Sequence, residues 1–246
     1  MQHRMYTDLA SWWPVLSPPQ EYEGEAPFMA GLLRTGERPV MTLLELGCGG
    51  GNLASHMPAH VPGVQLTLVD LSEQMLSLSR SLNPDAEHIE ADMRTMRLNR
   101  AFDAVLVHDA IDYLLTRDEL DDLAATIAEH LHPGGVAVLA PDHVVEAFVP
   151  GTDWGGSDAP DGRAARYLEW TWDPDPDDTW AQADYSFVLR EPDGEVTFVG
   201  ESHKFGLFPV QTWLEVLEQA GLSAVPIAEQ TDDDREPRTL FVAQHT

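Results

Sequence analysis

The chain has one cysteine, Cys48, and one lysine, Lys204, among 246 residues. A lone thiol excludes an internal disulfide, and no Cys/His cluster stands at the spacing of a structural zinc site, so no metal site is expected. Basic residues are scarce: Lys+Arg 14 against Asp+Glu 42 leaves a formal charge of −28. Such a surface repels phosphate backbones and anionic lipid, so neither a nucleic acid nor a membrane is an expected partner. A solvated acidic surface and salt adaptation both fit that charge. Also missing are an apolar run of membrane length and a leader with a charged start and an apolar middle, and the expected location is the cytoplasm. What remains is an ordinary apolar share, 43% hydrophobic, enough in a chain of this length for one large α/β core or a core plus a cap.

The stretch that organises the chain runs from Thr42 to Gly51. Thr42 to Leu46 is a short apolar run between Pro39 and Gly47, which reads as a buried strand. Gly47, Gly49, Gly50 and Gly51 then give a tight turn, and Asn52 to Met57 open a helix. Strand, glycine turn and helix form a nucleotide cradle, because glycine lets backbone approach a ligand and a helix start offers unpaired N–H groups. Asp70 ends the next apolar run, Leu66 to Val69, where a carboxylate at the carboxyl end of a strand can accept both ribose hydroxyls. The glycine spacing departs from a dinucleotide fingerprint, since Asn52 holds the place of its third glycine.

The run Glu45-Leu46-Gly47-Cys48-Gly49-Gly50-Gly51 resembles the first motif of class I S-adenosylmethionine-dependent methyltransferases. The resemblance implies S-adenosylmethionine as cofactor and S-adenosylhomocysteine as product. It also implies that Glu45 helps hold the amino end of the methionine part, with Gly47, Cys48, Gly49 and Gly51 in the cradle. Asp70-Leu71-Ser72, followed by Met75 and Leu76, resembles the second unit of the family, where the positions of Leu71 and Met75 flank the adenine; Ser72 is a good helix N-cap. His88 to Met93 reads as a third strand, and Asp92 and Met93 match the family residues that meet the adenine amino group and ring. Near the start, Tyr6, Leu9, Trp12 and Trp13 stand at helical separations before Pro14. In the related enzymes an N-terminal segment folds over the cofactor and a tyrosine closes the pocket, a role that Tyr6 and Trp13 match. Glu21 to Leu33 reads as a helix leading into the first strand.

Phe102 to Val107 is the fourth strand and runs into His108, Asp109, Asp112 and Tyr113, the densest titratable group of the chain, at the end where open parallel sheets bind ligands. Asp118 to His130 has helical periodicity, Pro133-Gly134-Gly135 turns, and Val136 to Ala140 is the fifth strand. Five βα alternations predict a Rossmann-like, seven-stranded, mostly parallel sheet with helices on both faces. The alternation then stops. Val149 to Asp161 and Asp173 to Asp178 read as loops, and Arg166 to Trp172, Thr179 to Arg190 and Glu195 to Phe205 as three strands of an inserted antiparallel cap, with a hairpin turn at Glu191-Pro192-Asp193-Gly194. The Trp213 helix, Val225 and Thr239 to Gln244 complete the sheet with a reversed edge pair. The expected division is a lid over 1–37, a cofactor-binding domain over 38–145 and 206–246, and a substrate cap over 146–205, with a homodimer through the cap.

The tail from Glu201 to Phe208 and the Trp213 helix resemble small-molecule methyltransferases, including enzymes that dimethylate the amine of nucleotide-linked amino sugars. Where those enzymes carry Gly-His-Leu after the fourth strand, this chain reads Asp112-Tyr113-Leu114, so their proposed catalytic histidine has no counterpart at Tyr113. The expected reaction is in-line methyl transfer to a small-molecule N or O nucleophile, in which alignment supplies most of the catalysis. Candidates for a base are His143, His108, Tyr113 and His203, with His143 first because it ends the fifth strand where the cap begins. Asp109 and Asp142 are candidate orienting or cation-binding carboxylates, and Trp13, Asp109, Asp112, Tyr113 and Trp170 candidate substrate contacts, the tryptophan faces suiting a cationic or amino acceptor. Two other readings stay open at this point: a non-catalytic protein that binds the cofactor and dimerises, and an NAD-dependent oxidoreductase with a degenerate fingerprint.

Overall fold

The computed structural model of the chain describes residues 3–230 and 237–245. The chain enters through two 3-10 turns, Arg4–Tyr6 and Ala10–Trp12, and the short helix α1 (Trp13–Leu16). The helix expected over 21–33 is split: a 3-10 turn covers Pro19–Tyr22, and α2 runs from Ala26 to Leu33 with Pro27 in its first turn, where a missing N–H leaves no bond unmade. There follow β1 (Thr42–Leu46), a 3-10 turn at Ala54–His56, α3 (Met57–His60), β2 (Gln65–Asp70), α4 (Glu73–Leu82), β3 (Glu87–Glu90), β4 (Phe102–His108), α5 (Arg117–His130) and β5 (Leu131–Ala140). Ser72 caps α4 by accepting the N–H of Met75, and Thr116 with Glu119 forms a capping box on α5, so both helices start where a side-chain oxygen takes up an orphan donor.

Next come β6 (Gly151–Gly155), β7 (Ala164–Trp172), β8 (Trp180–Arg190) and β9 (Val196–Gly206), then α6 (Val210–Gln219), β10 (Leu222–Ala228) and β11 (Thr239–His245). The large sheet has the order β10-β11-β5-β4-β1-β2-β3. β1 to β5 are parallel, and β11 runs against both β5 and β10. Its two faces carry separate apolar cores: Leu44, Val105 and Leu139 pack with α5 and α6 on one side, and Leu43, Leu106 and Val138 with α2 and α3 on the other. The carboxyl ends of β1, β2, β4 and β5 therefore share one edge, and β1 lies between β2 and β4, where the strand order reverses.

The cap is a four-stranded antiparallel sheet, β6-β7-β8-β9. β6 lies inside the stretch read as a loop; its glycines and aspartate carry little strand propensity, and it is held at the edge by pairing with β7 alone. The alternation along β7 turns Ala165, Tyr167 and Glu169 inward and Arg166, Leu168 and Trp170 outward. The inner face of the cap packs on the chain's own start: Met5, Leu9, Trp12, Val15 and Leu16 form one buried cluster with Ala165, Phe187, Leu189 and Val199. No helix among the described residues is long and apolar enough to cross a membrane.

Candidate active site

A cavity of about 910 Å³ opens between the carboxyl edge of the large sheet, the N-terminal segment and the inner face of the cap. Its floor is the glycine turn. Gly47 and Cys48 both donate their N–H groups to the carbonyl of Val69, which ties the turn to β2. Gly47 has φ +73, and a Cβ there would stand 2.2 Å from Cβ of Ala110, so only glycine passes between β1 and the loop after β4. Asp70 accepts the Gly49 N–H at 2.8 Å on Oδ2 and the Ser72 N–H at 2.9 Å on Oδ1. Each carboxylate oxygen keeps a further lone pair for a ligand hydroxyl. Cys48, Leu71, Met75 and Met93 complete this part of the wall. Gly51 does not line it. A Cβ on Gly51 would fall 2.3 Å from the Ser79 Oγ and the Asn83 amide nitrogen, so this glycine lets the turn pack on α4.

Glu45, on the last turn of β1 before the glycines, is 3% exposed, and its Oε2 has no hydrogen-bond partner. Burial raises its carboxyl to about 8, with His108 pulling the other way. Asp92 lines the cavity, but Arg94 holds it: its Oδ1 accepts the Arg94 backbone N–H at 2.9 Å and its Oδ2 the Nη2 at 2.7 Å. Arg94 pairs with Glu119 as well, at 2.5 Å.

Beyond the turn lies a buried charge network that sequence patterns do not announce. His108 sets Nε2 3.1 Å from Glu25 and Nδ1 3.2 Å from Asp109. Burial opposes its charge, yet the attraction of Asp109 and then of Glu25 lifts the imidazole to about 10. Arg238, 9% exposed, donates to Glu25 at 3.0 Å, Glu229 at 2.9 Å, Asp109 at 2.8 Å and Asp142 at 3.0 Å. Asp109 has φ +50, a left-handed conformation that costs energy for a non-glycine residue and is found where function fixes the backbone. The network places Asp109 and Asp142 in the cavity wall with Glu21 and Glu169, among Tyr6, Tyr22, Tyr167 and Tyr185.

Opposite them the roof is neutral. The Tyr113 hydroxyl lies 2.8 Å from the Tyr6 hydroxyl and 2.8 Å from Nδ1 of His203. Burial lowers the His203 imidazole to about 3, and His3 adds to the effect; burial likewise pushes the Tyr6 and Tyr113 phenols up. Tyr6 and Tyr113 line the cavity, as does Trp13, whereas His203 stands behind Tyr113.

Besides Gly51 and His203, three expected positions fall outside the cavity wall. His143 is absent from the cavity wall and packs edge-on against Phe148; Asp142, one residue earlier, is the one that faces inward. Trp170 is 54% exposed on the outer face of β7, because side chains alternate along a strand and its neighbour Glu169 takes the inner side. Asp112 is 3% exposed, and its Oδ2 accepts the Asp142 N–H at 3.0 Å. Burial and then the charge of Asp142 push its carboxyl well up, and through the Asp142 N–H it braces the loop. For Tyr167 and Glu169 the signal existed in the two-residue period of β7. For Arg238 there was none, since an arginine beside a proline after an acidic stretch of sequence carries no pattern.

Fold and site together define a class I S-adenosylmethionine-dependent methyltransferase of the small-molecule type. Residues 43–135 match a methyltransferase domain family. The chain is 31% identical over 226 residues to dTDP-3-amino-3,4,6-trideoxy-alpha-D-glucopyranose N,N-dimethyltransferase of Streptomyces venezuelae, covering 91% of each protein. It is 29% identical over 205 residues to dTDP-3-amino-3,6-dideoxy-alpha-D-glucopyranose N,N-dimethyltransferase of Streptomyces fradiae, covering 83% of this chain and 78% of that protein. The crystal structure of Streptomyces venezuelae DesVI superposes with a TM-score of 0.81 at 29% identity, covering 92% of both chains. The chain belongs to this methyltransferase family, is an enzyme of it, and takes S-adenosylmethionine as cofactor. The site fits that group: a glycine cradle that a Cβ would fill, a strand-end acid at Asp70, and an unpartnered buried carboxylate oxygen at Glu45. The oxidoreductase reading falls, and Asn52, in the place of the third dinucleotide glycine, is buried with its amide donating to the Ser17 carbonyl at 2.8 Å.

Proposed function

We propose that the protein N-methylates, and on repeated turnover dimethylates, the amine of a nucleotide-linked amino sugar. The observation that carries the amine is the acceptor side of the cavity, where Glu21, Asp109, Asp142 and Glu169 stand among tyrosines. Carboxylates and ring faces attract an ammonium group and do little for a neutral hydroxyl. The sugar and its nucleotide rest on the similarity to the two sugar N,N-dimethyltransferases.

When bound, S-adenosylmethionine supplies a methyl group on a sulfonium, already activated for in-line displacement. In this reading Glu45 holds its amino end, Asp70 its ribose, Leu71, Met75, Asp92 and Met93 its adenine, and Gly47, Cys48 and Gly49 shape the cradle. Tyr6 and Trp13, carried by the N-terminal segment, close the cavity and exclude water, which strengthens every charge interaction inside. Asp109 is a positioning residue fixed by His108 and Arg238. Asp142 is the group best matched to taking the amine proton, because burial and then Asp109 raise its carboxyl while Arg238 opposes them. Such a base contributes roughly 10²- to 10⁴-fold. Tyr113, in the place of the relatives' histidine, orients the amine. His108, held charged, and His203, held neutral with Nδ1 engaged by Tyr113, are poor bases.

In this reading the chain works as a lid over 1–37, a cofactor-binding part over 38–145 and 206–246, and a cap over 146–205. The outer face of the cap carries Trp154, Leu168, Trp170 and Phe198, the last 77% exposed, and a second copy covering this apolar patch makes a homodimer. In this reading the protein works in the cytoplasm. Incubation with S-adenosylmethionine and a panel of amino sugars, hydroxy acids and phenols, read by mass, tests the function. Methylation confined to amino sugars supports it, and methylation confined to hydroxyl acceptors overturns it.

A further inference from the structure

Beside Tyr113, His3, which also lines the cavity, comes together with Glu201 and His203 so that three ligand atoms lie within 4.8 Å of one another. Glu201 Oε1 lies 3.3 Å from His3 Nδ1 and 3.4 Å from His203 Nε2. Nitrogen and oxygen ligands bound about 2.0–2.1 Å from a tetrahedral zinc ion stand about 3.3–3.4 Å apart, so these two spacings are those of a metal's coordination shell. The geometry points to a divalent transition-metal site, zinc by preference, formed by His3, Glu201 and His203 and joining the N-terminal segment to the cap.

Three further observations support it. His203 is 1% exposed, and its Nε2 has no hydrogen-bond partner; an orphaned buried nitrogen is costly unless something outside the protein takes its lone pair. Its other nitrogen, Nδ1, meets the Tyr113 hydroxyl at 2.8 Å. With the proton on Nδ1 and donated to Tyr113, Nε2 is left as the ligand, which is the way a neighbouring group fixes the tautomer of a metal-bound histidine. Glu201 is oriented beforehand, since its Oε1 accepts the Arg4 N–H at 2.6 Å and its Oε2 the Met5 N–H at 3.0 Å.

The ion holds His3, and with it the segment bearing Tyr6, against β9, and it fixes Tyr113 through His203. Metal binding thereby closes the lid over the cavity. Two histidines and one carboxylate leave a fourth position for water, as in open zinc sites.

The full chain, produced without a histidine tag and stripped with a chelator, is titrated with Zn²⁺ against a chromophoric competitor and with Co²⁺ followed in the visible spectrum. Zinc is expected to bind at one equivalent and Co²⁺ to give bands of tetrahedral intensity. His3→Ala and Glu201→Gln are each expected to weaken binding by about tenfold or more, and zinc to slow proteolysis of the N-terminal segment. His3 lies at the surface, so His3→Ala keeps the test valid if a His203 variant does not fold. Absence of a stoichiometric site, or a site of unchanged affinity in His3→Ala, overturns the inference.

Discussion

Two histidines flank the cavity in opposite electrostatic states. On the floor, His108 is wedged between Glu25 and Asp109 and stays charged up to about pH 10. In the roof, His203 is equally buried, meets a phenol, a second imidazole and the Glu201 carboxylate at 3.4 Å, and it stays neutral down to about pH 3. Burial opposes charge at both; at His108 the two carboxylates that grip it outweigh burial, whereas at His203 burial prevails, with His3 adding to it. One wall is therefore a set of fixed charges held by Arg238, and the other a neutral hydrogen-bonded line from Tyr6 through Tyr113 to His203. In the proposed function a cationic acceptor is drawn to the first and oriented by the second.

The largest effect expected from disturbing this contrast comes from Arg238→Met. It removes the cation shared by Glu25, Glu229, Asp109 and Asp142, and removing one partner of a buried ion pair costs about 3–5 kcal/mol. A loss of that size in the unfolding free energy from urea titration, with Arg238→Lys intermediate, checks it. Asp70→Ala comes next. It removes two charge-assisted hydrogen bonds of about 1.5–3 kcal/mol each from the turn, and the affinity for S-adenosylmethionine should fall about 100-fold or more in calorimetry. Tyr113→Phe breaks both bonds of the neutral line, each worth about 1 kcal/mol; a lower kcat at nearly unchanged cofactor affinity is the expected split.

The pH profiles of stability should separate the two walls further. The folded value for His108 lies above its ordinary 6.5, so its stabilisation is complete below that pH and fades as the pH climbs toward 10. The folded value for His203 lies below 6.5, so it withdraws stability as the pH drops from there toward 3. His108→Gln should flatten the alkaline limb and His203→Gln the acidic limb. A single variant flattening both would collapse the distinction. The smallest effect concerns Glu45, which carries a proton below about pH 8. An ammonium group placed beside it favours the carboxylate, so cofactor binding near neutrality should release a proton. The binding enthalpy should then vary with the ionisation enthalpy of the buffer in the wild type and not in Glu45→Gln.

The large sheet was legible in the sequence because β1, β2, β4 and β5 carry buried apolar runs that stop at Gly47, Asp70, His108 and Pro141, and such runs fix both strand and edge. Ser72, Gly47 and Asp70 followed from the chemistry of caps and turns. The cap was half legible. Its hairpin at Glu191 to Gly194 declared itself, whereas β6 did not, and in β7 the choice of Trp170 over Glu169 selected the wrong face by one residue. That error weighs most, since a shift of one position along a strand moves a side chain from the cavity to solvent. His143 lies in the loop beyond β5 and outside the cavity wall, while Asp142, the carboxylate candidate beside it, lines the cavity. Arg238 and Glu25 meet 213 positions apart, a pairing that no local pattern encodes.

The account is tested most directly by giving the enzyme S-adenosylmethionine and a nucleotide-linked amino sugar and following cofactor and acceptor together by mass. It predicts stepwise appearance of the mono- and dimethylated amine with matching release of S-adenosylhomocysteine, and loss of both in Asp70→Ala. An unmodified acceptor amine beside intact cofactor, with the protein folded, would contradict it.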